Sequence, residues 1–297
     1  MWIDDEVTPY YRYSIKLDKI LFRGKTKYQE IIIGESTDWG KVLILDGRIQ
    51  ITTKDEHCYH EPLIHPAMLT HKNPKRVLII GGGDGGPLKH VLKYPVDLVT
   101  HVEVDDLVVE YCQKYIPELS SYFEDPRVEL IFCNGRRFLE KNEREYDVII
   151  VDITDPIEGG QSYPLFTQEF YKFAFNSLAF DGVITTQAES PYFYTDLFGA
   201  IYNTVGSVFP ITFSYMAYVP SFGEMWGYVI GSKKHNPVEV PEEQLKSEIN
   251  GIGTEYYTEK IHKKIFALPK DLERKITNNH TILKDTAPIL LLRREKG

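Results

Sequence analysis

Three aspartates in the sequence have the residue type and spacing for acid–base chemistry on an amine. Asp152 and Asp155 follow an apolar run, Val148–Val151, and Asp84 lies inside a glycine cluster, Gly81–Gly86. Carboxylates that share one cleft are costly to ionise without a bound cation, and this cost raises the pKa of an Asp toward useful basicity. An alkylamine has a reference pKa of about 10.4, so it must lose a proton before it can attack. One Asp as the proton acceptor and another as the ammonium anchor would meet this need.

The glycine cluster predicts a second ligand group, an adenosine. Gly81, Gly83 and Gly86 have the spacing G-x-G-x-x-G, and Glu103 lies about twenty residues further on. In a dinucleotide-binding unit, such glycines let the backbone approach the ligand, and such an acid binds a ribose hydroxyl. The pattern therefore leaves an NAD-dependent dehydrogenase open as an alternative.

Asp84 bears on the choice between these ligands. Its carboxylate would face a pyrophosphate at close range in a cleft of low dielectric constant, where like charges repel strongly. The carboxylate of S-adenosylmethionine would also approach this loop, whereas the decarboxylated form offers only an ammonium and a sulfonium. We therefore expect a cationic ligand group beside Asp84, which can also cap the following helix.

A parallel sheet must position these side chains. Four apolar runs predict buried strands, and each has polar residues at its carboxyl end. The runs are Val77–Ile80, Leu98–Asp105, Val128–Phe132 and Asp147–Val151. Helix candidates alternate with them, which predicts an α/β fold with a doubly wound sheet. Ligands bind beyond the carboxyl ends of such strands, so Glu103, Asn134-Gly135 and the aspartates should line one crevice.

The chain before this sheet predicts a small antiparallel β-domain. Short apolar runs at Tyr28–Ile33 and Lys41–Leu45 read as strands, and Asp46-Gly47 has the chemistry of a hairpin turn before Arg48–Thr52. The predicted domains are an N-terminal β-sheet domain, residues 1–72, and an α/β catalytic domain, residues 73–297.

Composition limits the kinds of partner. The chain has 297 residues, 34 Lys and Arg against 43 Asp and Glu, a formal net charge of −9 and 42% hydrophobic residues. These values are typical of a globular protein, and the acidic balance argues against nucleic-acid binding, which requires clustered Lys and Arg. The acidic start, Met1–Glu6, and the lack of long uncharged runs predict a cytoplasmic protein with no membrane span. The three cysteines are widely spaced and His65, His71 and His101 have no second ligand at metal spacing, so the sequence predicts no metal site.

A series of motifs resembles the polyamine aminopropyltransferases, the spermidine synthase family. In chain order these motifs are Tyr28-Gln29, Leu45–Gln50, Asp55-Glu56, Tyr59–Glu61, Gly81–Gly86, Val102–Asp105, Asp152–Pro156 and Gln187–Glu189. The resemblance implies a Rossmann-like, methyltransferase-type domain behind an N-terminal β-domain. It also implies transfer of an aminopropyl group from decarboxylated S-adenosylmethionine, as a co-substrate, to a polyamine, with release of methylthioadenosine. No cofactor is implied, and a homodimer or homotetramer is expected.

The resemblance implies roles for individual residues. Asp152 would be the general base, with Tyr59 assisting it. The donor nucleoside would contact the residues Gln29, Gly81, Gly83, Asp84, Glu103, Asn134 and Gly135. The acceptor polyamine would contact the residues His60, Asp84, Asp155, Glu189, Phe222 and Trp226.

Several positions differ from those of most spermidine synthases. Asn134 replaces an Asp, although its carbonyl can still accept the adenine amino proton. Val219–Gly227 lacks the family tyrosine of the amine pocket, and the loop Asp155–Tyr163 is also different. These two segments resemble those of thermospermine synthases, which extend spermidine at its aminopropyl end, whereas Asp84 and Glu189 match the spermidine synthases.

The sequence therefore predicts an aminopropyltransferase that makes thermospermine from spermidine. A spermidine synthase acting on putrescine, a related diamine or agmatine is one alternative. A non-catalytic polyamine-binding paralogue is an alternative of a different class.

Overall fold

Residues 2–52 form two small antiparallel sheets in the computed structural model, which describes residues 1–156 and 162–287. The first sheet pairs β1 (Trp2–Thr8) with β2 (Tyr11–Lys16). The second consists of β3 (Lys19–Lys25), β4 (Glu30–Ser36), β5 (Gly40–Leu45) and β6 (Arg48–Thr52), which lie side by side in chain order. The predicted N-terminal antiparallel β-structure is therefore confirmed.

The turn between β5 and β6 is the predicted hairpin turn. Asp46 has a φ of 48° and Gly47 a φ of 83°, and two turn residues in this region match the right-handed twist of the flanking strands. Asp46 Oδ1 also accepts the N–H of Glu30 at 2.9 Å. This turn fixes the position of Arg48, the first residue of β6.

A seven-stranded mixed sheet forms the centre of the rest of the chain. Its strands are β7 (Arg76–Gly81), β8 (Leu98–Glu103), β9 (Val128–Phe132), β10 (Tyr146–Asp152), β11 (Leu178–Gln187), β12 (Ile211–Val219) and β13 (Glu224–Ser232). Their order across the sheet is β12-β13-β11-β10-β7-β8-β9. Only the pairs that include β13 are antiparallel. This is the predicted doubly wound, Rossmann-like sheet of the methyltransferase type.

The strand order changes direction between β7 and β10, where open α/β sheets bind their ligands. Asp152 ends β10 and lies opposite Gly81, which ends β7. Both strands are inaccessible to solvent over Val77–Ile79 and Val148–Val151. Because these apolar runs are buried on both faces, the first polar residues after them lie at the edge of the sheet.

Helices cover both faces of this sheet. The helices of the described residues are α1 (Glu56–Thr70), α2 (Gly86–Val91), α3 (Asp106–Tyr115), α4 (Pro117–Ser120), α5 (Gly135–Glu140), α6 (Gln168–Ser177), α7 (Thr195–Gly206), α8 (Glu242–Ile252), α9 (Glu259–Ile265) and α10 (Lys270–Asn278). None of them is long and apolar enough to cross a membrane. The weakly patterned tail after Asn236 is thus largely helical, with α8 packed on α9 and α10 on α7.

Helix α1 connects the two parts of the chain. It lies within residues 1–72, the predicted N-terminal domain, yet it packs on α2, β11 and β12 of the larger part. Its residues Tyr59 and His60 are buried against the large sheet as a consequence. The domain boundary at residue 72 stays a prediction.

Candidate active site

A cavity of about 220 Å³ opens at the carboxyl ends of β7, β8 and β10. Most of the predicted site residues line it: Gln29, Tyr59, Gly81, Gly83, Asp84, Glu103, Asn134, Gly135, Asp152, Asp155, Phe222 and Trp226. His60 and Glu189 are not part of its wall. Asp5, Tyr13 and Arg48 are, so the N-terminal strands and the large sheet build the cavity together.

The glycine turn after β7 closes too tightly for side chains. Gly81 has a φ of 83°, and a Cβ atom on it would lie 1.9 Å from the backbone oxygen of Asp152. A Cβ atom on Gly83 would lie 3.2 Å from Glu103 Oε2. Glycine at these positions therefore lets the loop approach both the end of β10 and the acid that is predicted to bind ribose.

Glu103 ends β8 with one oxygen bound by the backbone. Its Oε1 atom accepts the N–H groups of Val104, at 2.7 Å, and of Asp105, at 2.9 Å. Burial raises the pKa of Glu103 to about 7, although these two N–H groups oppose the shift. A ribose hydroxyl that donates to the other oxygen would stabilise the ionised form, so the geometry fits the predicted nucleoside contact.

Gln29 and Asn134 are each oriented by a hydrogen bond. Gln29 Nε2 donates to Asp105 Oδ2 at 3.0 Å. Asn134 is the N-cap of α5, and its Oδ1 atom accepts the N–H of Arg137 at 3.1 Å. A carbonyl oxygen has two lone pairs, so the cap leaves Asn134 an acceptor position for an adenine amino group.

Asp152 and Tyr59 form a buried hydrogen-bonded pair in the cavity wall. The Tyr59 hydroxyl donates to Asp152 Oδ1 at 2.7 Å, and Asp152 is 9% exposed. Burial and the neighbouring carboxylate hold the pKa of Tyr59 well above its usual value, so the phenol keeps its proton. Asp152 Oδ2 is 3.7 Å from His60 Nε2, which is too far for a hydrogen bond. This oxygen is therefore placed to accept a proton from a ligand.

Asp84 lies beside the same histidine. Its Oδ1 atom accepts the N–H of Gly86, the first residue of α2, at 2.6 Å, although the N-cap of this helix is Gly85 and not Asp84. Burial raises the pKa of Asp84 to about 6; Asp152 adds to the shift and His60 opposes it. A bound cation would favour the ionised carboxylate, so this position suits an ammonium group.

His60 lies behind Asp84 and Asp152 and not in the cavity wall. It is fully buried, and its Nδ1 atom is 2.8 Å from Glu56 Oε2. Burial lowers the pKa of His60, but the carboxylates of Asp152 and Glu56 raise it more, to about 10. The ring is therefore an imidazolium, and its charge argues against the direct contact with an ammonium that the resemblance implied.

Arg48, to which the sequence analysis assigned no role, binds two of the predicted ammonium anchors. Its Nη1 atom donates to Asp155 Oδ2 and to Glu189 Oε1, the latter at 3.3 Å. Its Nε atom is 3.9 Å from Asp5 Oδ1. Burial lowers the pKa of Arg48, but these carboxylates outweigh that effect and raise it. Glu189 therefore faces Arg48 instead of the cavity, and Asp155 shares its charge with the same guanidinium.

Three aromatic rings, those of Tyr59, Phe222 and Trp226, line the cavity next to Asp152. The ring centroids of Tyr59 and Phe222 are 5.8 Å apart, and those of Phe222 and Trp226 are 5.0 Å apart. The Tyr59 and Trp226 centroids are 6.4 Å apart. Such a wall can pack against methylene groups and can also attract a cation to its ring faces.

Two acids of the cavity wall, Asp5 and Glu224, were missed by the sequence analysis. Asp5 is buried on β1 together with Ile3 and Val7, and these three residues alternate with exposed ones. Strand alternation puts these three residues on one face, a signal that could have identified Asp5. Glu224 begins β13 and stands two residues before Trp226, which gives it the same face of that strand.

Several buried groups could in principle hold a metal ion. The structure brings together Glu56 with His60 and His90, Glu61 with His65 and His90, and His60 with Asp84 and Asp152. Lys89 Nζ already binds Glu56 Oε1 at 2.6 Å, so a cation is present at the first of these groups. The expectation that the protein uses no metal stays a prediction.

Comparison with known proteins agrees with the site. Residues 56–242 match the family model described as the spermine/spermidine synthase domain, and residues 1–53 match the spermidine synthase tetramerisation domain. The polyamine aminopropyltransferase of Caldicellulosiruptor saccharolyticus is 39% identical over 276 residues, which cover 92% of this chain and 97% of the relative. The polyamine aminopropyltransferase of Thermoanaerobacter pseudethanolicus is 42% identical over 272 residues, which cover 91% of this chain and 96% of the relative.

Solved structures give the same result. A spermidine synthase in complex with the transition-state analogue AdoDATO has a TM-score of 0.89 at 38% identity, over 93% of this chain and 95% of that one. Spermidine synthase from Thermotoga maritima has a TM-score of 0.87 at 37% identity, over 93% of this chain and 94% of the Thermotoga chain. These relatives exclude the dehydrogenase alternative. The chain therefore belongs to the spermine/spermidine synthase family and is a polyamine aminopropyltransferase.

Proposed function

We propose that this enzyme transfers the aminopropyl group of decarboxylated S-adenosylmethionine to spermidine and makes thermospermine. Decarboxylated S-adenosylmethionine is the co-substrate, and no further cofactor takes part. The observation that supports a long acceptor is the excess of negative charge at the end of the cavity that contains Arg48. The four carboxylates around this single guanidinium belong to Asp5, Asp155, Glu189 and Glu224.

The number of charges favours an acceptor with more than two amino groups. Spermidine has three, and one of them must be neutral in order to attack, so two ammonium groups remain. Putrescine would leave only one. Four carboxylates opposite one guanidinium can balance two additional cations, and buried acids of this kind are costly to ionise when no cation is bound.

Asp152 acts as the general base in the proposed reaction. It takes a proton from the attacking ammonium group, whose lone pair then forms a bond to the aminopropyl carbon next to the sulfonium. The carbon–sulfur bond breaks, and its electron pair stays on sulfur, so methylthioadenosine leaves as a neutral thioether. Tyr59 orients Asp152 through the bond to Oδ1 and leaves Oδ2 for the proton.

The donor occupies the other end of the cavity. Glu103 accepts from the ribose hydroxyls, and Asn134 accepts from the adenine amino group. The ammonium of the aminopropyl chain lies at Asp84, whose carboxylate a cation would keep ionised. His60 acts as a positioning residue, because its imidazolium holds Asp84 and Asp152 from behind at 3.8 and 3.7 Å.

Spermidine synthesis from putrescine is the second candidate function. The solved structures with TM-scores of 0.89 and 0.87 are spermidine synthases. Arg48 also occupies Asp155 and Glu189, which reduces the charge that a second ammonium would meet. A diamine needs only one anchor beyond the attacking nitrogen.

An acceptor panel separates the two candidates. The enzyme is incubated with decarboxylated S-adenosylmethionine and, separately, with putrescine, cadaverine, agmatine and spermidine, and methylthioadenosine release is measured. We expect the highest kcat/KM with spermidine, and thermospermine as the product in chromatography against a spermine standard. A strong preference for putrescine would contradict the thermospermine assignment, and no release with any amine would contradict the reaction itself.

Residues 1–53 match a tetramerisation domain, which supports an oligomer. We propose a homotetramer or homodimer assembled through the N-terminal strands, and analytical ultracentrifugation of the full chain tests this. The cytoplasmic location and the absence of nucleic-acid partners expected from the sequence stay predictions.

A further inference from the structure

Glu224 has a feature that sets it apart from the other acids of the cavity. It lines the cavity and is 9% exposed, and its Oε2 atom is buried without a hydrogen-bond partner among residues 1–156 and 162–287. An unpaired buried carboxylate is unfavourable, and native proteins rarely keep one without a ligand or another partner for it. Glu224 therefore has an unused binding capacity directed at the cavity.

The other acids around Arg48 already have partners. Asp155 and Glu189 accept from the guanidinium, and Asp5 accepts the N–H of Ile49 at 2.9 Å. Burial raises the pKa of Glu224 to about 7. A hydrogen bond with the Ser190 side chain and the charge of Arg48 oppose this shift, while Asp155 and Asp5 add to it. Glu224 is thus the acid of this group that lines the cavity and keeps a carboxylate oxygen without a partner among the described residues.

The aromatic wall leads from Asp152 toward Glu224. Tyr59 bonds to Asp152 and contacts both Phe222 and Trp226. Trp226 and Glu224 are two residues apart on β13, so their side chains project from the same face of the strand. An extended amine with its attacking nitrogen at Asp152 would lay its methylene groups along the rings and bring its far end toward Glu224.

We propose that Glu224 is the anchor for the terminal ammonium of an acceptor longer than a diamine. This proposal rests on the proposed function, since it specifies how the acceptor end of the cavity recognises the third amino group of spermidine. Asp155 and Glu189 then have a different role from the one the sequence predicted: they hold Arg48, and the charge of Arg48 lowers the cost of ionising the acids around it. Glu224, the first residue of β13, is then the residue that selects for acceptor length.

The test is a comparison of amine binding by wild type and Glu224→Gln, which removes the charge and keeps the shape. Calorimetric titrations of spermidine and of putrescine are done on the full-length protein loaded with methylthioadenosine. We expect spermidine to bind about tenfold more weakly to the variant, as for loss of one charged contact, and putrescine to bind with unchanged affinity. Glu243→Gln, an exposed change of the same type on α8, is the matched control and should bind both amines as wild type does.

Two results would overturn the proposal. One is an unchanged affinity of Glu224→Gln for spermidine, and the other is an equal loss for both amines, which would mean that Glu224 does not select for length. Glu224→Asp guards against a folding artefact, because it keeps the charge and should bind spermidine with an affinity between those of wild type and Glu224→Gln. The titration does not depend on turnover, so a wild type that uses putrescine instead of spermidine contradicts the proposed function while the binding comparison still reports on Glu224.

Discussion

The two ends of the cavity are built in different ways. At the donor end, three polar groups are satisfied by backbone atoms close to them in sequence: Glu103 by residues 104 and 105, Asp84 by Gly86 and Asn134 by Arg137. Gln29, held by the side chain of Asp105, is the exception. At the acceptor end, the contacts join distant parts of the chain. Arg48 lies 107 residues from Asp155 and 141 from Glu189.

The donor end is therefore a fixed site, whereas the acceptor end is one that substitutions can adjust. The donor end is fixed by strand ends and turns, so its shape follows from the fold itself. The acceptor end depends on side chains from β1 and β6 of the N-terminal sheets and from β13 at the antiparallel side of the large sheet. Such an arrangement suits a family in which one donor is used with different amines.

Gly81→Ala should break the donor end and give the largest effect. Its added methyl would overlap the backbone oxygen of Asp152, at 1.9 Å, and the φ of 83° disfavours any side chain. We expect a loss of about 4 kcal/mol in the free energy of unfolding, measured by urea denaturation, together with loss of methylthioadenosine binding.

Gly47→Ala is the matched control for Gly81→Ala. Gly47 has the same φ of 83°, but a Cβ atom on it would meet nothing within 4 Å. Gly47→Ala should therefore lower the free energy of unfolding only by the conformational cost of a side chain at this φ, about 1 to 2 kcal/mol. Equal losses in the two variants would show that the close approach at Asp152 has no energetic importance.

Arg48→Gln should disturb the acceptor end and leave the donor end intact. Removing one member of a buried ion pair costs about 3 kcal/mol, because the remaining charges lose their counter-ion. Burial already raises the pKa of Glu189 well above its usual value, and Arg48 opposes this. When a carboxyl group has a raised pKa in the folded state, the free energy of unfolding of the protein falls as the pH rises through that pKa. Arg48→Gln should therefore lower the free energy of unfolding more at pH 8 than at pH 5.

The measurements for Arg48→Gln are urea denaturation at both pH values and calorimetric affinities for methylthioadenosine and for spermidine. Arg48→Lys keeps the charge and should lose less stability than Arg48→Gln. A drop in nucleoside affinity as large as the drop in amine affinity would mean that the two ends are not independent.

Asp152→Asn should separate chemistry from binding. A general base contributes about 10²-fold or more to the rate, so kcat should fall by at least that factor. Affinity for methylthioadenosine, measured by calorimetry, should stay near the wild-type value. Asp97→Asn, an exposed change of the same type, should leave both unchanged. Equal losses of kcat and nucleoside affinity would make Asp152 a structural residue.

Glu224→Gln should change how stability depends on pH in the protein without ligand. Burial raises the pKa of Glu224 from an ordinary 4.5 to about 7, so its favourable contribution is complete below about pH 4.5 and is lost as the pH rises to about 7. Gln removes that loss. The variant should gain about 2 kcal/mol relative to wild type between pH 5 and pH 8 in urea denaturation. If the stability of the two proteins depended on pH in the same way, the assignment of Glu224 as a buried acid with an unpaired oxygen would be contradicted.

The sequence allowed the donor end to be predicted more completely than the acceptor end. Apolar runs such as Val148–Val151 mark buried strands, and the polar residue that follows each strand falls at the sheet edge by geometry alone. Glu103 and Asp152 were located in this way. The reversed pairing of β13 and the helices after Asn236 were not, because weak patterns are decided by packing on the rest of the fold.

At the acceptor end, motif positions identified residues without showing where their side chains point. His60 and Glu189 lie in motifs, yet Glu56 and Arg48 draw these side chains away from the cavity. The unpaired oxygen of Glu224 could not be recognised from the sequence, since the lack of a partner is a property of the folded chain. The charge balance around Arg48 likewise depends on contacts across more than a hundred residues.

A crystal structure of the enzyme with methylthioadenosine and spermidine tests the central claim most directly. We predict the nucleoside at Glu103 and Asn134, one spermidine nitrogen at Asp152 Oδ2, and the terminal ammonium within hydrogen-bond distance of Glu224, with Arg48 still bound to Asp155 and Glu189. A terminal ammonium bound at Asp155 or Glu189, with Arg48 displaced and Glu224 unoccupied, would contradict the account.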